Sequence, residues 1–351
     1  MFDAGKLPDE KRRLLMKENK TGKNKKMTMI AILLLIAAAV VIAMLSGVKG
    51  ESETAGKIRI GSLKGPTSIG LLSLIEKAEV GDAEGEYEFQ MATAADELLP
   101  LMVKGELDVA LVPANVASIL YQKTNGGICV ININTLGVLY MVSGDTSLEN
   151  ITDLKGKTIY LTGKGTTPDY VLQYILTQNG MSTQDCKLEY KSEATEVAAL
   201  LAENPGAVGL LPQPFVTAAC AQNEALTVLF DMNEEWDKVQ GEGASRMVTG
   251  VTVVRREFLE QHEGAVKTFL AEHAESVEAV NADPESAAAL AVEAGIVAKE
   301  PIARKAIPFC HIVSITGEEM KQSLEGYLQV LYEQSPEAVG GALPGEDFYY
   351  E

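Results

Sequence analysis

The side chains that most often carry catalysis are scarce in this chain. Its 351 residues include only three histidines, four cysteines and one tryptophan, and aromatics make up 6%. His262, His273 and His311 are scattered, and neither H-E-x-x-H nor G-x-S-x-G occurs, so metallohydrolase and nucleophile-elbow chemistry have no sequence support. His262 and His273 fall in a charged helical run and read as solvated. His311 neighbours Cys310, but adjacent residues on a strand point to opposite faces, which argues against a Cys–His pair. Cys129, Cys186, Cys220 and Cys310 form no C-x-x-C motif, which removes the usual zinc and dithiol sites. Each sits in an apolar or strand-like run where a thiol acts as a small hydrophobe, so free buried thiols are favoured over a disulfide.

Positive charge is also in short supply: 30 Lys and Arg stand against 49 Asp and Glu, for a net charge of −19. Nine of the 30 lie in residues 1–26, against four acids, leaving 21 against 45 for the rest. A body this acidic repels a phosphate backbone, and no basic stripe tracks one, so nucleic-acid binding is excluded.

What the chain does have is one long uncharged stretch. Residues 27–45 (MTMIAILLLIAAAVVIAML) hold no charge, and the gap runs from Lys26 to Lys49. A bilayer-spanning helix needs ~20 apolar residues and a cleaved signal an apolar core of ~7–15, so the length predicts an anchor. The basic flank KTGKNKK keeps residues 1–26 cytoplasmic and sends the rest outside. Residues 45–47 look like the run before a lipoprotein's modified cysteine, but Val48 stands where that thiol belongs. Small residues before Glu51 also allow cleavage near Gly50, so tethering and secretion both remain open. The domain plan is therefore a basic leader (1–26), an anchor or signal helix (27–48) and a linker (49–56), followed by a globular body.

That body alternates strand-like β-branched runs with amphipathic helical runs, the pattern of an α/β sheet. KIRIGSL (57–63) reads as a strand, 67–78 as a helix and LDVALVP (107–113) as a strand buried on both faces. The second half restarts the series with KTIYLTG (157–163), a helix over 167–178 and AVGLLP (207–212). Residues 95–116 align without a gap on 194–215, placing Pro113 on Pro212, and 64–67 fall on 164–167. A repeat near 100 residues is too long for a solenoid unit and fits two similar lobes.

In open α/β sheets, ligands bind beyond the carboxyl ends of the strands, where helix N-termini converge. The matching loops give the candidates Lys64, Gly65, Thr67 and Ser68, then Gly163, Lys164, Thr166 and Thr167, and finally Pro113, Asn115, Pro212, Gln213 and Phe215. Lysines at helix starts suit an anionic group. Thr67, Ser68, Thr166 and Thr167 serve either as donors to an oxyanion or as helix caps. Asn115 is a donor to a neutral or zwitterionic ligand, or itself a cap. Tyr140, Tyr170, Phe215 and Trp236 are candidate pocket walls, although aromatics in such positions are more often core.

Three runs carry a family resemblance: ITDLKGKT (151–158), LPQPF (211–215) and VTVVRREFLEQHEGAVKTFLAEH (251–273). On these the chain resembles the type II periplasmic-binding-protein family, and within it the nitrate/sulfonate/taurine branch of ABC substrate-binding proteins. The branch usually reads LPEPF, so Gln213 replaces an acid. The resemblance implies two lobes with a cleft between them, lobe one being 57–144 and 247–351 and lobe two 145–246, with chain crossings near 137–144 and 246–250. It further implies a monomeric extracytoplasmic receptor, without cofactor or catalysis, that passes a small solute to an ABC permease and its ATPase. Two alternatives stand beside it. One is an enzyme on the same scaffold, like the thiamine-pyrimidine synthases, which implies a cysteine cluster and an active histidine. The other is a membrane-tethered sensor, for which 26 inside residues are few.

Overall fold

Two sheets, each assembled from the same strand–helix series, hold the described residues, which are 57–241 and 245–351 of a computed structural model. The leader, the 27–48 helix and the linker expected from sequence lie outside the described residues. Among the described residues no helix is long and apolar enough to cross a membrane.

The first series runs β1 (Ile58–Leu63), α1 (Pro66–Ile69), α2 (Leu72–Val80), β2 (Tyr87–Ala92), α3 (Ala95–Lys104), β3 (Val109–Pro113), α4 (Ala114–Lys123) and β4 (Ile128–Leu136). The second runs β5 (Leu139–Ser143), β6 (Thr158–Thr162), α5 (Thr167–Gln178), β7 (Lys187–Lys191), α6 (Ala194–Glu203), β8 (Val208–Pro212), α7 (Phe215–Gln222), β9 (Thr227–Asp231) and α8 (Met232–Gln240). The chain then returns through β10 (Val248–Arg255), α9 (Arg256–Gln261), α10 (Glu263–Ala282), α11 (Pro284–Glu293), α12 (Glu300–Ala306), β11 (Ile312–Ile315) and α13 (Gly317–Gln334).

The sheet orders are β11-β4-β10-β3-β1-β2 and β7-β6-β8-β5-β9. In each, the three strands of a βαβ series are parallel, and an antiparallel strand follows beside β3 or β8. That antiparallel strand is the one that has just crossed from the other sheet: β5 enters the second and β10 the first. The internal repeat is thus physical. Helices α3 and α6 are both ten residues long, and strands β3 and β8 each have four buried residues followed by a half-buried proline. Buried on both faces, VALVP and VGLLP need apolar side chains throughout, which is why they were conspicuous as sequence.

Two details differ from the sequence reading. The single helix expected over 67–78 is two helices, because Gly70 brings the backbone against the return segment. A Cβ there would lie 3.0 Å from Ile312 Cγ2 and 3.1 Å from Val277 Cγ2. The first crossing falls at the start of the expected 137–144 interval, so Leu139–Ser143, placed in lobe one from sequence, pairs with β8 and β9 of the second sheet. Residues 128–143 form one buried run with no exposed residue, and only Gly137 marks the passage.

The DLKGK run is a structural turn. Asp153 Oδ2 accepts from the Asn150 and Glu149 amides at 2.8 and 3.0 Å, capping a 3-10 turn at Ile151–Leu154. Gly156, at φ 78°, then reverses the chain into β6.

Candidate functional site

The carboxyl ends of β1 and β3 in one sheet, and of β6 and β8 in the other, deliver the loops in which ligand contacts were expected. After β1, Thr67 and Ser68 are buried, and both hydroxyls turn back on the strand end. Thr67 Oγ1 donates to the Leu63 carbonyl at 3.2 Å, and Ser68 Oγ lies 2.5 Å from the same oxygen and 2.7 Å from Ser62 Oγ. These contacts hold the loop in shape. Thr67 also borders β10, where a Cβ on Gly250 would meet Thr67 Cγ2 at 2.6 Å and Asn134 Oδ1 at 2.5 Å. Lys64 is exposed, with Nζ 3.6 Å from where a Cβ on Gly295 would sit. Gly65 is half-buried beside it.

After β6, Gly163 and Gly165 take φ values of 74° and 71°, which only glycine adopts without strain. Thr166 Oγ1 donates to the Gly163 carbonyl at 2.6 Å, so it closes the loop and leaves α5 without a side-chain cap. The Lys164 ammonium lies 5.6 Å from the centre of the Tyr190 ring, an exposed cation–π contact. Thr167 and Tyr170 are half-buried on the first turn of α5, and Tyr170 Oη is 3.9 Å from a Cβ built on Gly165.

Several other candidates carry structural duties. The Asn115 side chain is buried within α4 and donates to the Ala338 carbonyl at 3.4 Å, tying α4 to the C-terminal segment. Gln213 Oε1 accepts from the Thr217 amide and hydroxyl at 3.3 and 2.9 Å, which fixes the start of α7 with a neutral amide. Pro113 and Pro212 end their strands half-buried. Trp236, expected as a pocket wall, is fully buried. It packs at a tilt against Tyr174 and Tyr327, with ring centres 4.7 and 5.4 Å away, and its indole N–H donates to the Ser245 carbonyl at 3.1 Å. A large ring with one donor satisfied internally is core.

Two cavities open between the second series and the return segment. One, of about 810 Å³, has Tyr140, Gln213, Cys220 and Asp231 on one wall and Arg304, Lys305 and Phe309 on the other. Its two walls are tied together by Tyr140 Oη, which donates to the Phe309 carbonyl at 2.7 Å. The other, of about 640 Å³, is more apolar and runs between Phe215 and Ala218 of α7 and Ile296, Val297 and Ile302 of the return. Of the candidate residues, Tyr140 and Gln213 line the first cavity and Phe215 the second; the far wall of the first was not anticipated from sequence. Nothing local marks Arg304, Lys305 or Phe309, which reach the cavity only because the chain comes back to the first sheet.

His311 contacts the crossing between the sheets. It is no strand residue: its φ is 46°, its carbonyl accepts from the Leu136 amide at 3.1 Å, and its Nδ1 contacts the Gly137 carbonyl. The crossing residue is therefore held from outside its own strand. Beside it, burial pushes the Asp231 carboxyl above its ordinary pKa, against the pull of the Asn233 amide it caps. The Cys310 thiol is fully buried and pushed up to about 12 by desolvation, which leaves no thiolate for chemistry. Cys129 and Cys186 are buried too, and Cys220 is half-buried; all four are free. Among the described residues no group of three or more His, Cys, Asp or Glu side chains is arranged to hold a metal ion.

A family model described as menaquinone biosynthesis matches residues 66–332. No curated protein matches the sequence. Among solved structures, an ABC transporter protein from Parabacteroides distasonis superposes with a TM-score of 0.71 at 24% identity, covering 84% of this chain and 99% of that one. The periplasmic aliphatic sulphonate-binding protein of Escherichia coli follows at 0.67 and 16% identity, covering 84% and 92%. The alkanesulfonate-binding protein of Xanthomonas axonopodis pv. citri, bound to MOPS, reaches 0.59 at 16% identity, covering 79% and 93%. At these identities the likeness is one of fold, and the fold is that of two-lobed binding proteins.

Proposed function

We propose, from the premise that this chain belongs to the menaquinone biosynthesis family, that it is a two-lobed receptor that captures a small acidic or zwitterionic solute. The nitrate/sulfonate/taurine resemblance read from residues 151–158, 211–215 and 251–273 is consistent with this family at the level of the fold. The observation that carries the receptor reading is the connection between the sheets. Only residues 137–138 and 241–247 join β4 to β5 and α8 to β10, and the candidate loops lie at the strand ends around them. Such a joint lets a ligand supply the contacts that favour closure.

In this reading the receptor works at the outer face of a membrane and hands its solute to an ABC permease and its ATPase. The uncharged 27–45 segment and the similarity in fold to a periplasmic sulphonate-binding protein support that placement. The family description favours a second reading, an enzyme that acts on a menaquinone precursor in the same cleft. The two differ in one observable, turnover.

Thermal and urea unfolding against a panel of sulfonates, nitrate, bicarbonate, aromatic carboxylates and menaquinone precursors tests the proposal. A ligand at ~100 times its Kd should raise the unfolding free energy by ~2.7 kcal/mol. A panel without any stabilising member would sink the receptor reading. Chemical conversion of a stabilising compound would replace it with the enzyme.

A further inference from the structure

The cavity of about 810 Å³ lies behind the crossings, on the side away from the loops of β1 and β6. The sheet orders place it there. In the first sheet β4 and β10 separate β11 from β3 and β1, and in the second β5 separates β9 from β8 and β6. The cavity is lined by β9 and by residues 304–309, which lead into β11, and no residue of the 64–68 or 163–168 loops reaches it. Its volume falls in the range of pockets that hold small organic molecules, ~300–1,000 Å³.

Two features of the walls ask for an occupant. The first is apolar. Among the described residues four large apolar side chains are exposed, and two of them, Val228 at 42% and Phe309 at 52%, line this one cavity, one from each lobe. Exposed apolar side chains are ordinary when scattered singly, but gathered at a concave site they mark a binding surface. The second feature is a charge. Of the four charged residues in the lining, Glu234, Arg304 and Lys305 are exposed, and Arg304 is already held by the Glu285 carboxylate at 2.7 and 3.0 Å.

Only Asp231 is half-buried. Its Oδ1 accepts from the Asn233 amide at 2.9 Å, which caps α8. His311 is near enough to favour the charged carboxylate, yet among the described residues neither it nor any Lys or Arg forms an ion pair with Asp231. A carboxylate drawn out of water without a cation is costly, and an ammonium group supplies the missing partner. The rings of Tyr140 and Phe309 add aromatic surface to the same cavity, which a cation also favours.

We propose that this cavity binds a small organic amine, with its ammonium group on the Asp231 carboxylate and an apolar or aromatic body against Val228 and Phe309. The site is separate from the cleft, so it goes beyond the receptor reading and does not depend on it. An occupant touches both lobes from behind the crossings.

The test uses the full chain, wild type and Asp231→Asn, with benzylamine and phenethylamine as probes and neutral benzyl alcohol as the control, read by calorimetry. Asparagine caps a helix as well as aspartate, so the variant should keep the wild-type melting temperature. The wild type should bind an amine ~10- to 100-fold more tightly than the alcohol, and that preference should vanish in Asp231→Asn. Phe309→Ala, at an exposed ring, probes the apolar wall by itself and should weaken amine and alcohol alike by ~5-fold. Cys220 reports the location, because it is half-buried in the cavity lining while Cys129, Cys186 and Cys310 are buried. A bound amine should therefore slow modification of Cys220 by the thiol-specific reagent methyl methanethiosulfonate. Equal amine affinity in wild type and Asp231→Asn overturns the proposal, as does an amine that binds no more tightly than the alcohol. Unchanged affinity in Phe309→Ala, or Cys220 modification that the amine does not slow, overturns it too. So does the absence of amine binding by the wild type up to ~10 mM. None of these outcomes touches the receptor reading, which is decided by the solute panel.

Discussion

Asp108→Ala should cost about 3–5 kcal/mol of stability, nearer the lower figure, while leaving ligand affinity intact once the loss of folded protein is allowed for. Asp108 lies just before β3 and is 2% exposed. Its carboxylate accepts from Arg59 Nε at 2.8 Å, Arg59 Nη2 at 2.6 Å, the Arg59 amide at 3.1 Å and Arg255 Nη2 at 2.9 Å. Its backbone completes the stitch: the amide donates to the Arg59 carbonyl and the carbonyl accepts from the Arg255 amide, both at 2.9 Å. One residue therefore ties β1, β3 and β10 together at the sheet edge away from the candidate loops. Five residues of strand separate it from Pro113, about 17 Å. Alanine would leave two guanidinium groups facing an acceptor that is gone. Arg59 is 38% exposed and can turn to water, whereas Arg255, at 19%, is more confined, which sets the estimate at the low end. Asparagine, which keeps one acceptor oxygen, should cost less than alanine.

Desolvation alone would raise the Asp108 pKa, but the bonds from Arg59 and Arg255 outweigh it and hold the carboxyl below its ordinary value. Its contribution is thus complete above the unfolded carboxylate pKa of ~3.9 and is lost as pH falls through the lower folded value. Urea unfolding at neutral pH checks the mutation. A cost under ~1 kcal/mol would show that the cluster is solvated like an ordinary surface pair.

Patterns that repeat along the chain were legible in the sequence; contacts between distant segments were not. The βα series and the repeat stand out because strands buried on both faces must be written in apolar residues, and α3 and α6 share a ten-residue frame. The crossing at Gly137 is silent because the buried run continues through it. The cavity wall of Arg304, Lys305 and Phe309 is silent because it is tertiary. One residue was misread, and another passed over, although the signal was present. Val266, Phe269, His273, Val277 and Val280 follow helical spacing and all face the core, so His273 stood in an apolar stripe that the surrounding glutamates obscured. Tyr327 likewise lies among Met320, Leu324, Leu328 and Leu331 on the buried face of α13. The stripe makes it core, but only the structure shows that its hydroxyl goes unpaired.

The buried imidazole makes the sharper test. Between pH 6.5 and pH 4 the wild type should lose about 3 kcal/mol of stability that a His273→Leu variant retains. His273 is fully buried and its pKa is lowered to about 4, by desolvation alone. Asn132 Nδ2 lies 3.1 Å from Nδ1, so with the amide in this orientation Nδ1 accepts, and the neutral ring carries its proton on Nε2, which has no partner. Unfolded, the same ring titrates near 6.5. As pH falls below that value the unfolded chain takes up a proton the folded chain refuses, and stability declines until the folded ring protonates near 4. A gap of about 2.5 units at ~1.4 kcal/mol each sets the size. Carboxylates also begin to titrate at the acid end of this window, and easing of the acidic body's self-repulsion works in the opposite direction. The difference between the two proteins isolates the ring, and leucine leaves Asn132 its bond to Ser314 Oγ at 3.1 Å. Parallel pH profiles for the two proteins would mean that the ring reaches water in the native state. Nε2 lies 3.4 Å from where a Cβ on Gly70 would stand, so a charged ring would press directly on the backbone that follows the first candidate loop. Acid should therefore loosen that loop before it unfolds the chain, and ligand affinity should begin to fall at a higher pH than the onset of unfolding.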